Sequence, residues 1–345
     1  MKMLHKLILA LFVMGFVHFT SMAQDANQVN DLIKQGVDLH NQGKYTEAIE
    51  KYNEALKADP ENGYANYELA FSLYASKKAN DAIPYLEKAV KTSSASLIVP
   101  EYVLLASIYD EGKQPQKAIE TYNIAIKINP DYPQIYYNQG LAYFRSKQYA
   151  EAENCAIEAI KRDTKNASNQ RLYALVTFHQ NKFCNALLGF CSFLLIEPNG
   201  PRATEAFSNI QNILVAGETI KTRNNGPLVV VANSGSEDMG LNFALSMVIK
   251  AGQARKLAGM DLLEYQLKNT FILANQFTEK SADKTFFEKF FVGYLYQLSQ
   301  SGNMPAFART VSLSANRAEN SKWLKDNAQQ VNALNEWIGK TERGF

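Results

Sequence analysis

An alanine returns along this 345-residue chain at Ala48, Ala82, Ala118, Ala152 and Ala186, at intervals of 34, 36, 34 and 34. The residues around it return with it. Twelve positions upstream stands a small residue each time: Gly36, Ala70, Ala106, Gly140 and Ala174. Four positions downstream come Tyr52, Leu86, Tyr122, Ala156 and Phe190, and seven downstream Ala55, Ala89, Ala125, Ala159 and Phe193. Twelve downstream, Pro60, Pro130 and Pro198 alternate with Ser94 and Thr164. A fixed period of this length means that one supersecondary unit is repeated and stacked.

Each copy carries two apolar stripes at helical spacing, separated by a short polar turn such as Asn41-Gln42-Gly43-Lys44. The small residues belong where the two helices cross, since only a small side chain allows close approach. The proline stops the second helix and opens the next unit. A single hairpin of this kind cannot bury its apolar face, so neighbours must stack. The pattern resembles the tetratricopeptide repeat family over residues 29–200, in five copies, with an insertion at Leu97-Ile98. The resemblance implies an all-α chain, with a right-handed α-solenoid of helix-turn-helix repeats followed here by a C-terminal helical region.

The first residues point to export. Lys2, His5 and Lys6 precede an apolar run from Leu7 to about Phe19, and Ser21-Met22-Ala23 follows. A positive start, a short apolar run and small residues before a cut are the marks of a signal peptide, here 1–23. A membrane span needs roughly 20 apolar residues, and this run is shorter and broken by His18 and Thr20. The expectation is a secreted, periplasmic or envelope-associated protein with no stable membrane anchor once the signal is removed.

The formal charge of +2 is that of Lys2 and Lys6, so the rest of the chain is balanced. Nucleic-acid binding needs a basic face, and none is expected. Cys155, Cys184 and Cys191 are the only cysteines. Cys184 and Cys191 fall seven apart on one helix, about 10 Å along its axis, too far for a disulfide. Three buried thiols are the simpler expectation. An oxidising compartment leaves a bridge from Cys155 open.

The expected organisation is a repeat array with a capping helix over 24–214, a linker over 215–236 and a C-terminal helical domain over 237–345. The capping helix places Ala203, Phe207, Ile210 and Leu214 on one face. In the linker, Leu228 to Ala232 reads as an isolated strand or an apolar loop. Beyond it, helices are expected at about 237–257, 260–280, 282–300, 304–317 and 319–340. The stretch Gly293 to Ala308 looks like a degenerate repeat hairpin. The region is either a separate domain or a divergent continuation of the array.

Catalytic chemistry has little to stand on. Outside the leader only His40 and His179 remain, on different repeats. No residue spacing suggests a metal site, and no cofactor is expected. Asn233-Ser234-Gly235-Ser236 lacks the pattern of a nucleophile turn and reads as a loop.

The resemblance points instead to a surface. In this family the first helix of each hairpin lines a concave groove. Carried over by position, the groove takes Ile33, Val37 and His40, then Tyr64, Tyr67, Phe71 and Tyr74, then Val103, Ser107, Asp110 and Glu111. The fourth copy adds Gln134, Tyr137, Leu141, Phe144 and Arg145, and the fifth Arg171, Leu175, Phe178 and His179. Asn138 occupies the position where many members hydrogen-bond a ligand backbone. The residues expected to bind a protein or peptide partner are Tyr64, Tyr67, Phe71, Tyr74, Tyr137, Asn138, Phe144, Arg145, Arg171 and Phe178. Aromatics and arginine dominate binding hot spots. The clamp that holds chaperone C-terminal carboxylates is not expected, because Ile33, Val37 and Glu68 occupy three of its positions. The leading expectation is therefore a non-catalytic scaffold. The alternative is a catalytic or small-molecule-binding C-terminal region with the repeats as recruitment module.

Overall fold

The computed structural model describes residues 27–94, 96–219, 236–279 and 283–344. The expected signal peptide, the Leu228–Ala232 run and the Asn233–Gly235 turn lie outside the described residues. Among those described, every regular element is a helix. The chain divides into two compact units, one ending at Asn138 and the other starting at Gln139.

The first unit contains α1 (27–41), α2 (Tyr45–Ala58), α3 (Gly63–Ala75), α4 (Ala79–Thr92), α5 (Ile98–Glu111), α6 (Pro115–Ile128) and the start of α7 (Pro133–Arg145). Consecutive helices from α2 to α6 pack in series. The recurring alanines sit at the crossings: Ala48, Ala82 and Ala118 have no exposed surface, nor do Ala70 and Ala106 opposite them. A Cβ added at Gly36 would stand 2.4 Å from Cε1 of Tyr52, so any larger residue at this crossing must push the buried ring aside. Tyr52, Leu86 and Tyr122, four positions after each alanine, are buried beside them. Burying an apolar side chain of leucine size contributes roughly 1.5–3 kcal/mol relative to exposure.

The turn inside each hairpin is the same object five times. Gly43, Lys77, Lys113, Lys147 and Asn181 have φ of 76°, 65°, 57°, 60° and 60°. In the third copy Lys113 N–H donates to the Asp110 carbonyl at 3.0 Å and Gln114 N–H to the Tyr109 carbonyl at 2.8 Å. This paired closure satisfies the last carbonyls of the first helix. Three of the five left-handed positions carry lysine, although glycine or asparagine adopts that conformation with less strain.

The second unit contains the rest of α7, then α8 (Tyr149–Arg162), α9 (Ala167–His179), α10 (Phe183–Ile196) and the capping helix α11 (Pro201–Thr219). It continues through α12 (Ser236–Ala254), α13 (Gly259–Thr278), a π-helical segment (Glu288–Val292), α14 (Gly293–Gln300), α15 (Met304–Val311), α16 (Arg317–Asp326) and α17 (Ala328–Lys340). Ala152 and Ala186 are fully buried. A Cβ on Gly140 would meet Leu172 Cδ2 at 2.9 Å. On α11, Ala203, Phe207, Ile210 and Leu214 are all buried, and the helix runs five residues past its expected end.

Helix α10 is the centre of this unit. Its sequence, FCNALLGFCSFLLI, is apolar on every side, and eleven of its residues are buried. Helices α9, α11, α12, α13 and α15 and the π-helical segment all pack against it. A helix apolar all round must be surrounded, and the C-terminal helices supply the surround. Residues 237–340 are thus continuous with the last repeats. The turn between α12 and α13 repeats the hairpin closure, with Lys256 at φ 56° and Leu257 N–H donating to the Gly252 carbonyl at 3.4 Å. Gly302, between α14 and α15 and within the Gly293–Ala308 stretch, also has a positive φ, 78°.

Three expectations at the C-terminal end are corrected. The helix expected over 304–317 ends at Val311. The one expected over 319–340 is two helices broken at Asn327, whose side chain donates to the Trp323 carbonyl at 2.9 Å. That bond competes with the helical ladder. The 282–300 helix begins late. Thr285 and Glu288 bond each other's backbone N–H groups, a capping box that sets its start. Cys155, Cys184 and Cys191 are unpaired and buried.

Candidate functional site

The ten residues singled out by position are all at least partly accessible to solvent. In the first unit α3 carries four of them. Tyr64 and Phe71 are 40% and 38% exposed, and Tyr67 and Tyr74 are half-buried. Residues three and four apart share one helix face, so Tyr64, Tyr67, Phe71 and Tyr74 form a row. The rings of Tyr67 and Phe71 are parallel within 2°, with centroids 6.2 Å apart. His40, from α1, stacks on Phe71 at 4.7 Å. It is anchored by a 2.7 Å bond between Nδ1 and Ser72 Oγ. Burial pushes the His40 pKa below its ordinary value.

The electrostatics of this row follow from burial. The Tyr67 hydroxyl is pushed up to about 12, first by burial and then by the Glu68 carboxylate. Burial also raises Glu68, against the opposing pull of a hydrogen bond from Tyr64. Tyr74 donates its hydroxyl to Glu111 Oε1 at 2.6 Å. The row is an apolar aromatic strip edged by acidic side chains. Two positional expectations fail: Ile33 and Asp110 are 3% and 8% exposed. Ile33 joins the core with Val29 and Tyr52, because α1 turns that face inward against α2 and α3. Tyr137 and Asn138, at the end of the unit on α7, are half-buried.

In the second unit Phe144 and Phe178 occupy equivalent places in successive repeats, and both are half-buried. His179 lies 5.1 Å from Phe144 and stacks on Tyr149 at 5.2 Å. Arg145 is exposed. Arg171 is held by an ion pair to Glu205 on α11. An open cleft of about 290 Å³ lies between the α9–α10 turn and α11, lined by Phe178, His179, Asn181, Phe183, Asn212 and Ile213.

Sequence reasoning missed a recurring pair. The left-handed turn brings the ring at one position against the ring five residues later. The pairs are His40 with Tyr45 at 5.1 Å, Phe144 with Tyr149 at 5.6 Å, and Phe178 with Phe183 at 6.0 Å. The same spacing in the second and third copies gives Tyr74 with Ala79 and Asp110 with Pro115. Ring pairs five apart around a turn were the signal available. Among the described residues no three His, Cys, Asp or Glu side chains gather as a metal site would require, and no helix is long and apolar enough to cross a membrane.

The sequence matches the family description "TPR repeat" over residues 36–77 and 107–147, and "Tetratricopeptide repeat" over 133–166. It is 29% identical over 137 residues to tetratricopeptide repeat protein 6 of Homo sapiens, covering 39% of this chain and 25% of that protein. It is 29% identical over 109 residues to serine/threonine-protein phosphatase 5 of Rattus norvegicus, covering 32% and 22%. The chain thus spans about a quarter of the length of the curated relatives it matches. Among solved structures, the MamA protein is 24% identical, covering 50% of this chain and 93% of that one, with a TM-score of 0.46. YrrB, described as a TPR protein with an unusual peptide-binding site, is 16% identical, covering 55% and 97%, with a TM-score of 0.46.

Proposed function

The repeats of this chain are tetratricopeptide repeats, units that serve as protein–protein interaction scaffolds, and from that premise we propose an exported, non-catalytic scaffold of the cell envelope. Its partner is a protein or peptide that lies on the first-helix faces of the repeats. The observation that carries this reading is the accessible aromatic row on α3, set against buried second-helix aromatics such as Tyr52 and Tyr122. The first helix α3 leaves Tyr64, Tyr67, Phe71 and Tyr74 in reach of solvent. Rings held half-exposed on a rigid helix give large contact area with little ordering cost, which is what a peptide laid across apolar pockets requires. The basic start, apolar run and Ser21-x-Ala23 site support export.

The test is capture of partners from an envelope fraction by residues 24–345, followed by affinity measurement on the partner identified. Phe71→Ala in the first unit and Phe144→Ala in the second should each weaken capture more than ten-fold, about 1.4 kcal/mol or more. Lys57→Ala, on the exposed side of α2, should leave it unchanged. Aromatic variants that fold and bind normally overturn the first-helix reading. An N-terminus at Met1 in protein taken from its native source overturns export.

A further inference from the structure

Arg343 lies three residues beyond the end of α17, in a short stretch outside any helix. Its guanidinium sits over two aromatic rings, 4.1 Å from the centroid of Tyr294 and 4.9 Å from that of Phe290. It donates to Ser192 Oγ and reaches Gln170 Oε1 at 3.5 Å. The pocket is built from three places: Gln170 on α9, Ser192 on α10, and the Phe290–Tyr294 stretch. Gln170, Ser192 and Phe290 have no exposed surface, and Tyr294 has 3%. Trp337 backs Tyr294, with ring centroids 4.9 Å apart.

The polar half of the pocket is pre-set to accept. Gln170 spends its amide N–H on the Thr164 carbonyl at 2.7 Å, which turns its oxygen inward. Ser192 donates to that oxygen at 2.5 Å, leaving its own lone pairs for an incoming donor. The aromatic half offers π faces, which attract a cation. The set suits a planar, weakly hydrated guanidinium far better than a compact, strongly hydrated ammonium. Among the described residues Arg343 forms no ion pair with a carboxylate. Burial lowers the Arg343 pKa, opposed by Tyr294. Among the described residues the charge is thus held by neutral groups, and its neighbours Glu342 and Gly344 are exposed. Withdrawing it requires movement of a few non-helical residues and leaves α17 intact.

We propose that this pocket is a receptor for an arginine side chain, with Arg343 as its exchangeable intramolecular occupant and an arginine of a partner polypeptide as the alternative one. The partner class is a segment presenting an accessible arginine, and its entry displaces the 341–344 stretch.

The experiment is chemical rescue in the full chain. Arg343→Ala should melt below wild type. N-acetyl-L-argininamide at millimolar concentration should raise its melting temperature saturably, and N-acetyl-L-lysinamide should not. Wild type, whose pocket is filled, should not shift over the same range. Adding Ser192→Leu to Arg343→Ala should abolish the rescue. Should the alanine variant fail to fold, refolding it with each probe present gives the readout: recovery of helical circular dichroism with N-acetyl-L-argininamide and not with N-acetyl-L-lysinamide supports the proposal, and no recovery with either overturns it. Absence of a saturable, arginine-specific rise in the vacated protein, or an equal rise in wild type, overturns the proposal.

Discussion

Asn242 Oδ1 accepts a hydrogen bond from the Cys184 backbone N–H at 3.1 Å across 58 residues of sequence, and its Nδ2 donates to the Asn181 carbonyl at 2.7 Å. One side chain of α12 thereby closes both ends of the α9–α10 turn. It satisfies an N–H at the start of α10 that has no partner within its own helix. Lys182, in the same turn, is ion-paired to Glu153 at 2.8 Å and lies 3.6 Å from Asp238 of α12. The C-terminal helices are thus docked on the last repeat by polar contacts as well as by the apolar wall of α10.

Asn242→Ala should destabilise the protein by about 1–3 kcal/mol, because it leaves the buried Cys184 N–H without its partner and removes the bond to the Asn181 carbonyl. Urea unfolding followed by circular dichroism measures it. A midpoint equal to wild type would show that water replaces both bonds.

The small residues at the helix crossings should resist enlargement. Gly36→Ala brings a Cβ into the ring of Tyr52, and Ala118→Leu enlarges a side chain with no exposed surface. Each should lower stability by roughly 1–3 kcal/mol, read as a reduced melting temperature. Unchanged melting of Ala118→Leu would mean that the α5–α6 crossing has room to spare.

The left-handed lysines should respond in the opposite sense. At Lys113, φ is 57°, a conformation that disfavours a residue with a Cβ by roughly 1–2 kcal/mol. Lys113→Gly should therefore raise stability by about 1 kcal/mol after the entropy cost of glycine. Gly43→Ala, at φ 76°, should lower it. Paired thermal melts of the two variants decide the point, and a loss at both positions would contradict it.

Glu101 should make stability fall as pH rises. It is fully buried on α5, takes a hydrogen bond from Ser93, and its second oxygen has no partner among the described residues. Burial raises its pKa, opposed only by the Ser93 bond. A carboxyl whose folded pKa is raised binds protons more tightly in the native state, so native stability is lost as pH rises from the ordinary glutamate value through the folded one. Glu101→Gln should flatten that part of the profile in urea titrations run upward in pH from the ordinary glutamate value of about 4.3. Parallel curves for the two proteins would refute the assignment.

The candidate surface was legible to the extent that helical phase decides it. Position within the period placed Tyr64, Tyr67, Phe71 and Tyr74 in one accessible row, because residues three and four apart on a helix share a face. The same rule placed Ile33 there, and Ile33 is core, because in the first copy it packs with Val29 of its own helix in the cluster that holds Tyr52 of α2. The ring pairs around the turns escaped notice, since they depend on the positive-φ backbone at Gly43, Lys147 and Asn181, which folds one helix end back on the next.

Period and polarity in the sequence were enough to determine the repeats, their crossings and the all-helical class. A 34-residue return of small residues can be satisfied only by stacked hairpins, and Ala48, Ala82, Ala118, Ala152 and Ala186 are all sealed at crossings. The apolar surround of α10 was also written there, in a helix with no polar face. Only the tertiary structure decided what covers that helix, how Asn327 splits the last one, and where Asn242 and Arg343 reach. Those contacts join residues 58 and 151 positions apart. Local propensity reports the preferences of a segment over a few residues. A hydrogen bond or a cation over a ring at such distance depends on packing that brings the segments together.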